Sequence, residues 1–468
     1  MNFLRAAQRR RRRWPPRAYG RPSGHQVHAA PATHPGSRRT AQGLRWTVLA
    51  AAIALVLTGS GADVLSGPGA KGVGMDRPGW GFTHTQFSAD HGSAPAVAAV
   101  QQALAGQPMA QNQHIMGWGA NNPEPAPGVY RFDSLDSRID FIRATGGTPV
   151  ITLCCAPDWM KGGTPGKTDW DRLTEAPLPE HYADFAALSA VIARRYPDVR
   201  HFMVWNEFKG FFDEENDRWD AEAYTELYNQ VYEAVKAVNP HNRIGGPYID
   251  MARPPSGTTG RASPLRGSWG TVDQRALDAF DYWLAHKRGA DFVVIDGHAT
   301  AREGGPDEFA ALEKLSAVSQ WVGARTELPL WWAEWYVDPA DSGGSGQQQR
   351  AVRTAAMIEM AKSGVDTALY WNPRPGGEDC ATCLWTDTAD EGGGRSLPFL
   401  TTLRNFARWF PPGTRLEEIP SPAAVHALAQ PRMLVAVNTL DSPVTVSIDG
   451  RDVRLAPYET RWITRDGA

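Results

Sequence analysis

Four cysteines in 468 residues are too few to build a disulfide scaffold. Cys380 and Cys383 would close a small loop in an oxidising compartment, whereas Cys154 and Cys155 are chain neighbours that could bridge only with strain. Neither pair has the nearby His or second Cys pair that a zinc site needs. The chain also lacks a Gly-rich loop of nucleotide-binding form after its first apolar run, and no Ser, His and Asp arrangement stands at strand ends. The acidic run Asp213 to Asp217 has neither the alternating ligands nor the terminal Glu of an EF-hand, so it reads as a solvated loop. No metal and no cofactor are expected.

Acid is missing from the first 45 residues, which hold eleven Arg and no Lys. The remainder carries 37 basic against 51 acidic residues, a net of −14. A body of that sign repels a phosphate backbone, so no nucleic-acid partner is expected despite Arg9 to Arg13. The basic leader, residues 1–45, runs into an apolar core of twelve residues, Trp46 to Leu57. That length fits a secretory signal, while a full membrane span needs about 20 residues. Ser60 and Ala62 would supply a small-residue cleavage site, and Ser37-Arg38-Arg39 is a partial twin-arginine signal without the usual apolar continuation. Residues 46–62 therefore read as an export signal or, uncleaved, as a membrane anchor with its Arg side inward. Both outcomes put the body outside the cytoplasm, secreted or held on the outer face of the membrane. A Gly-rich tether over 63–76 follows.

What the chain has in quantity is Trp, 18 in all, which suits stacking on sugar rings as well as core packing. From residue 77, short apolar runs alternate with helical patterns. The runs are Trp80 to His84, Gln113 to Trp118, Pro149 to Cys154, His201 to Asn206, Arg243 to Tyr248, Phe292 to Gly297, Leu330 to Glu334 and Thr367 to Asn372. Eight such runs match the rhythm of a (β/α)8 barrel, whose parallel strands are buried on both faces. Between them, Tyr182, Phe185, Leu188 and Ile192 recur at helical spacing, as do Tyr224, Leu227, Val231 and Val235 behind a capping Asp220. The barrel is assigned to 77–410. Residues 411–468 change texture to short alternating segments, Ala424 to Leu428, Met433 to Val437, Val444 to Ile448 and Thr460 to Thr464, and read as a small β-domain. Leu455 and Tyr458 would pack it against the barrel.

In this frame Glu207 ends the fourth strand and Glu334 the seventh, both on the C-terminal rim where barrel enzymes do their chemistry. A Glu after an apolar run is by itself an ordinary loop anchor. Two of them across one pocket, beside indoles and an amide, are the acid and nucleophile of glycosidic bond cleavage, and a separation of about 5–5.5 Å makes such a pair retaining. Burial beside indole rings should raise the pKa of a carboxyl that has to hold a proton. Trp118, Trp159 and Trp335, at or just past strand ends, would either shape the pocket walls or pack in the core below the rim. His114 and His201 read as structural.

The segment Gly81 to Asp379 resembles glycoside hydrolase family 39, the β-xylosidase-like branch of the retaining barrel glycosidases. The similarity is strongest over Val204-Trp205-Asn206-Glu207 with Phe211-Phe212, the Tyr224 to Val238 helix, Asn239-Pro240-His241 and Gly245-Gly246-Pro247. Further matches are Gly81-Phe82-Thr83-His84, Tyr130-Arg131-Phe132-Asp133, Asp291-Phe292-Val293 with His298-Ala299, Pro329 to Glu334, and Tyr370-Trp371. The resemblance implies Glu207 as general acid/base, Glu334 as nucleophile, and Asn206 on the sugar 2-hydroxyl. It also implies His84 and His298 in the inner sugar subsite, Trp371 as its stacking floor, and Glu378 gripping sugar hydroxyls. Two positions depart from the pattern. Phe208 replaces the usual Pro after the acid/base, and Thr300 replaces a Tyr that usually steadies the nucleophile. The expected activity is retaining hydrolysis of β-glycosides, with xylosides as the first substrate and an oligo- or polysaccharide as partner. The same residues would serve an arabinosidase, galactosidase or endo-glycanase, or a surface carbohydrate-binding protein without turnover.

Overall fold

The computed structural model describes residues 78–465 apart from 87, 90, 107, 255–260, 302–306, 339–343 and 372–379. The leader, the export segment, the tether and Glu378 lie outside the described residues. Among the described residues no helix is long and apolar enough to cross a membrane.

The eight runs become eight parallel strands closed into a barrel: β1 (Trp80–Thr83), β2 (Ala110–His114), β3 (Thr148–Leu153), β4 (His201–Val204), β5 (Arg243–Asp250), β6 (Phe292–Thr300), β7 (Leu330–Asp338) and β8 (Thr367–Trp371). Each pairs with its sequence neighbours, and β8 closes on β1 through Trp80 to Ala368 and Thr83 to Trp371. Where β1 lies against β2, a Cβ on Gly81 would fall 1.8 Å from the Ala110 carbonyl oxygen, so no larger residue fits there. The barrel interior is filled by Val150, Met203, Phe292, Val294, Trp331 and Leu369, with the Phe292 and Trp331 rings stacked at 3.9 Å.

One expected strand is misplaced. β2 covers Ala110–His114 rather than Gln113 to Trp118, because its Gln111-Asn112-Gln113 core looks like loop sequence. These amides are fully buried and satisfied within the fold: Gln111 donates to Thr145, Asn112 to Thr83, and Gln113 accepts from Arg138.

Helices α1 (Ala94–Leu104), α2 (Asp133–Ala144), α3 (Tyr182–Arg195), α4 (Ala221–Val238), α5 (Gln274–His286), α6 (Glu313–Gly323), α7 (Gly346–Lys362) and α8 (Pro398–Trp409) surround the barrel. The Asp220 carboxylate caps α4 by accepting from the Ala223 amide, as its position predicts. α7 ends just before Gly364, whose φ of +81° turns the chain out of the helix.

The C-terminal strands are antiparallel: β9 (Val425–Gln430), β10 (Met433–Asn438) and β13 (Thr460–Thr464) form one sheet, and β11 (Val444–Ile448) with β12 (Arg451–Leu455) a hairpin. Leu455 belongs to the small core between these strands and does not reach the barrel. Tyr458 does pack on the barrel side, its ring parallel to Phe309, and Glu359 of α7 pairs with His426 of β9 at 2.9 Å. Both cysteine pairs form disulfides, Cys154–Cys155 and Cys380–Cys383.

Candidate active site

β4 ends at Val204, and the chain then makes a rim turn in which Trp205, Glu207 and Phe208 take φ of 69°, 51° and 53°. Non-glycine residues rarely hold that conformation unless their surroundings impose it. Here the Trp205 amide donates to Leu153, its indole N–H donates to the Lys209 carbonyl at 2.7 Å, and the buried Phe208 ring stacks on Tyr224 at 4.1 Å. Phe208 thus anchors the turn against α4. The turn leaves Asn206 buried and Glu207 half-buried at the mouth.

Glu334 does not end its strand. β7 continues to Asp338, and its register with β6 slips so that Ile295 pairs with Trp332 but Asp296 with Glu334. That bulge lets Ala333 and Glu334 both avoid the helix layer, and it moves Trp335 into that layer. Trp335 is consequently fully buried, 5.1 Å from the Tyr370 ring, and is not a pocket wall. A second slip, between β5 and β6, pairs Pro247 with Val294 and Ile249 with Ile295. Tyr248, at φ 54°, is the extra residue, and it turns into the barrel interior.

These two bulges assemble the site. Tyr248 Oη donates to Glu334 Oε1 at 2.7 Å, and Asn206 Nδ2 donates to the same oxygen at 3.3 Å. His114 Nε2 stands 3.9 Å from it. One carboxylate oxygen from each of Glu207, Asp296 and Glu334 lies within 4.8 Å of the other two. That spacing would also suit a divalent cation, but Lys209 Nζ already supplies positive charge, in an ion pair with Glu207 and a 3.1 Å hydrogen bond to Asn206 Oδ1.

Burial pushes the Glu334 carboxyl up to about 8, helped by repulsion from Glu207 and resisted by Lys209, Tyr248 and Asn206. Asp250 is raised to about 7 and Asp296 well above the carboxylate range, again by burial first and Glu207 second. Glu207 departs from the sequence expectation. Burial raises its pKa, but the Lys209 ammonium and hydrogen bonds from Asp296 and Lys209 outweigh that and hold it below its usual value. Lys209 is raised in turn by its carboxylate neighbours, against its burial.

The other expected residues divide. His298, two residues beyond Asp296, is half-buried with its ring stacked on Tyr336, and burial drops its pKa to about 3. Trp371 shares the face of Leu369, which lines the barrel interior, and is half-buried at the rim. Trp118 is half-buried and stacks on His114 with centroids 4.1 Å apart. His84 is not brought to the carboxylates. It shares a strand face with Phe82, which packs in the helix-side core, and it sits against Phe141 with Nε2 3.1 Å from Gln111 Oε1. The imidazole beside Glu334 is instead His114, read above as structural because the second strand was placed too late. It is fully buried and kept neutral by burial, with a pKa near 3.

Sequence reasoning missed His114, Lys209, Tyr248 and Asp296. A carboxylate inside an apolar run, as in Val294-Ile295-Asp296, is the signal that would have found the last. Where Thr300 lacks the expected Tyr, the phenol that reaches Glu334 comes from Tyr248 on the neighbouring strand.

The profile of glycosyl hydrolases family 39 matches residues 120–256, the stretch that contains Glu207 and Tyr248. A β-xylosidase from Caldicellulosiruptor saccharolyticus is 34% identical over 292 residues, 58% of this chain and 51% of that protein. The chain is thus similar, over part of its length, to glycoside hydrolase family 39. It spans about half the length of that curated relative. A family 39 glycoside hydrolase from Bacteroides cellulosilyticus superimposes with a TM-score of 0.55 at 15% identity, covering 83% of this chain and 81% of that one. A family 39 β-xylosidase from Caulobacter crescentus gives 0.50 at 19%, covering 78% and 79%. At those identities the structural likeness speaks to the barrel. The family is a retaining one, which agrees with the close approach of Glu207 and Glu334.

Proposed function

We propose that this chain is an exported retaining β-glycosidase of family 39, acting first on β-xylosides, with Glu334 as nucleophile and Glu207 as acid/base. The observation that carries the reading is the approach of Glu207 and Glu334 to within 4.8 Å, with Tyr248 and Asn206 both holding one oxygen of Glu334. Those two donors stabilise the carboxylate form and fix its second oxygen for attack on the anomeric carbon. Glu207 protonates the departing oxygen, then removes a proton from the water that releases the sugar.

The proton starts on the other side of the pair. Between the low value of Glu207 and about 8, the two carboxyls hold one proton, mostly on Glu334. Turnover draws on the microstate in which it sits on Glu207. Substrate favours that state by entering between Glu207 and the half-exposed Lys209 and loosening their ion pair. Neutral His114 and His298 offer uncharged imidazoles to sugar hydroxyls, and Trp371 and Trp118 offer aromatic faces. The two disulfides support export, since such bonds persist in oxidising compartments.

The test is Glu334→Ala with an activated aryl β-xyloside. Turnover should be abolished, and azide should restore release of the aryl group with an inverted glycosyl azide as product. Ordinary hydrolysis by that variant would remove the assignment. Running the native chain on a panel of aryl glycosides then checks the sugar, because a preference for galactosides or arabinofuranosides would reject xylose.

A further inference from the structure

Apart from Trp14 and Trp46, every Trp of the chain is described, and Trp170 alone among them is exposed, at 48%. Core packing accounts for most of the rest. The other exposed aromatic among the described residues is Tyr130, at 42%. The two stand in adjoining clefts of about 380 and 650 Å3 that share Arg131 and Asp133. Volumes of this size suit small ligands or a few sugar units.

The smaller cleft is built from the loops that leave the C-terminal ends of β2 and β3, and the larger one joins the β2 loop to Val191, Arg194 and Arg195 in the last turns of α3. The loops are tied together by Asn122 Nδ2 donating to Thr168 Oγ1 at 3.0 Å, the Gly166 amide to Pro125, and the Trp159 indole to Glu124. Tyr130 is held flat for contact, its ring parallel to Phe132 at 5.7 Å. Arg195 covers Phe132 from the cleft wall and is pinned by Asp136. Arg131 and Arg194 differ. Both are exposed, and among the described residues neither has an ion-pair partner.

We propose that these joined clefts bind a stretch of uronate-bearing polysaccharide outside the catalytic pocket, with sugar rings on Trp170 and Tyr130 and carboxylates on Arg131 and Arg194. Rigid, exposed aromatic faces are suited to the apolar faces of pyranose rings, and guanidinium groups match carboxylates in geometry as well as charge. A local excess of Arg is out of character for a body of net −14. A densely charged polyanion such as nucleic acid would be repelled by that body, whereas a glycan with widely spaced carboxylates meets only the basic patch. The inference rests on the glycosidase reading only for its choice of a xylan backbone.

The probe is glucuronoxylan, compared with the same xylan stripped of its uronate groups, in affinity electrophoresis of the full chain. Trp170→Ala should weaken glucuronoxylan binding at least tenfold, and Arg194→Gln about fivefold with a shallower salt dependence, while kcat/KM on an aryl β-xyloside stays within twofold in both. Undiminished affinity in Trp170→Ala, or equal affinity of the native chain for the stripped xylan, would overturn the proposal. If the native chain turns over no aryl glycoside yet binds glucuronoxylan through Trp170, the catalytic reading fails and this one stands. Unchanged thermal unfolding of both variants shows that any loss is local.

Discussion

Tyr248 donates its phenolic hydrogen to Oε1 of Glu334 at 2.7 Å, from a position where β5 bulges and its backbone φ is 54°. The bulge and the bond belong together: without the extra residue, alternation would aim this ring at the helices.

Tyr248→Phe should therefore lower kcat/KM about 10- to 100-fold, since a hydrogen bond to a charged group contributes roughly 1.5–3 kcal/mol. Removing a donor that favours the carboxylate raises the Glu334 pKa further, so the alkaline limb of the rate profile moves up from about 8. A profile identical to that of the native chain would show that the phenol does not act on Glu334.

The native profile itself follows from the shared proton. kcat/KM should fall as pH rises through about 8, where the pair loses the proton needed by the leaving group, and again below the depressed value of Glu207. Lys209→Met removes a positive charge that lowers both carboxyls, so both limbs should move to higher pH. Asp250 and Asp296 titrate in the same cluster and would broaden the limbs without reversing that direction. Limbs that stay in place in Lys209→Met would separate the ammonium from the chemistry.

His114→Phe keeps a ring against Trp118 but removes both imidazole nitrogens, neither of which has a hydrogen-bond partner within the described structure. If those nitrogens serve sugar hydroxyls, kcat/KM should drop by about tenfold or more with little change in unfolding temperature. His84→Phe, on the helix side, should change activity far less. Steady-state kinetics on one aryl glycoside decides between the two histidines.

Phe406 in α8 is fully buried and joins three parts of the molecule, its ring 5.1 Å from Trp80 of β1, 5.4 Å from Trp462 of β13 and 5.6 Å from Phe410. Phe406→Ala should destabilise the fold by about 3–5 kcal/mol through lost burial and an unfilled cavity. Chemical denaturation would measure it, and a cost under about 1 kcal/mol would mean that the contact relaxes freely.

The barrel was legible because parallel strands buried on both faces must be continuously apolar. Runs such as Phe292 to Gly297 and Thr367 to Asn372 begin where their strands begin. β2 failed the same test because buried amides look polar whether or not the fold satisfies them. That error hid His114, which passed for a residue inside a strand when it stands at the strand's end. The C-terminal strands were legible too, except Arg451–Leu455, where three of five residues are charged and the run resembles a loop.

The sequence by itself determined the ring of strands, the capped helices between them and the two rim carboxylates, because apolar periodicity and capping are local properties of the chain. Only the tertiary structure decided which side chains meet Glu334. Register slips at Tyr248 and at Ala333 reverse which face a residue presents, and the pairing of strands distant in sequence sets those slips. The same holds for charge. Whether a buried carboxyl keeps its proton depends on neighbours such as Lys209 and Asp296, which folding alone brings within reach.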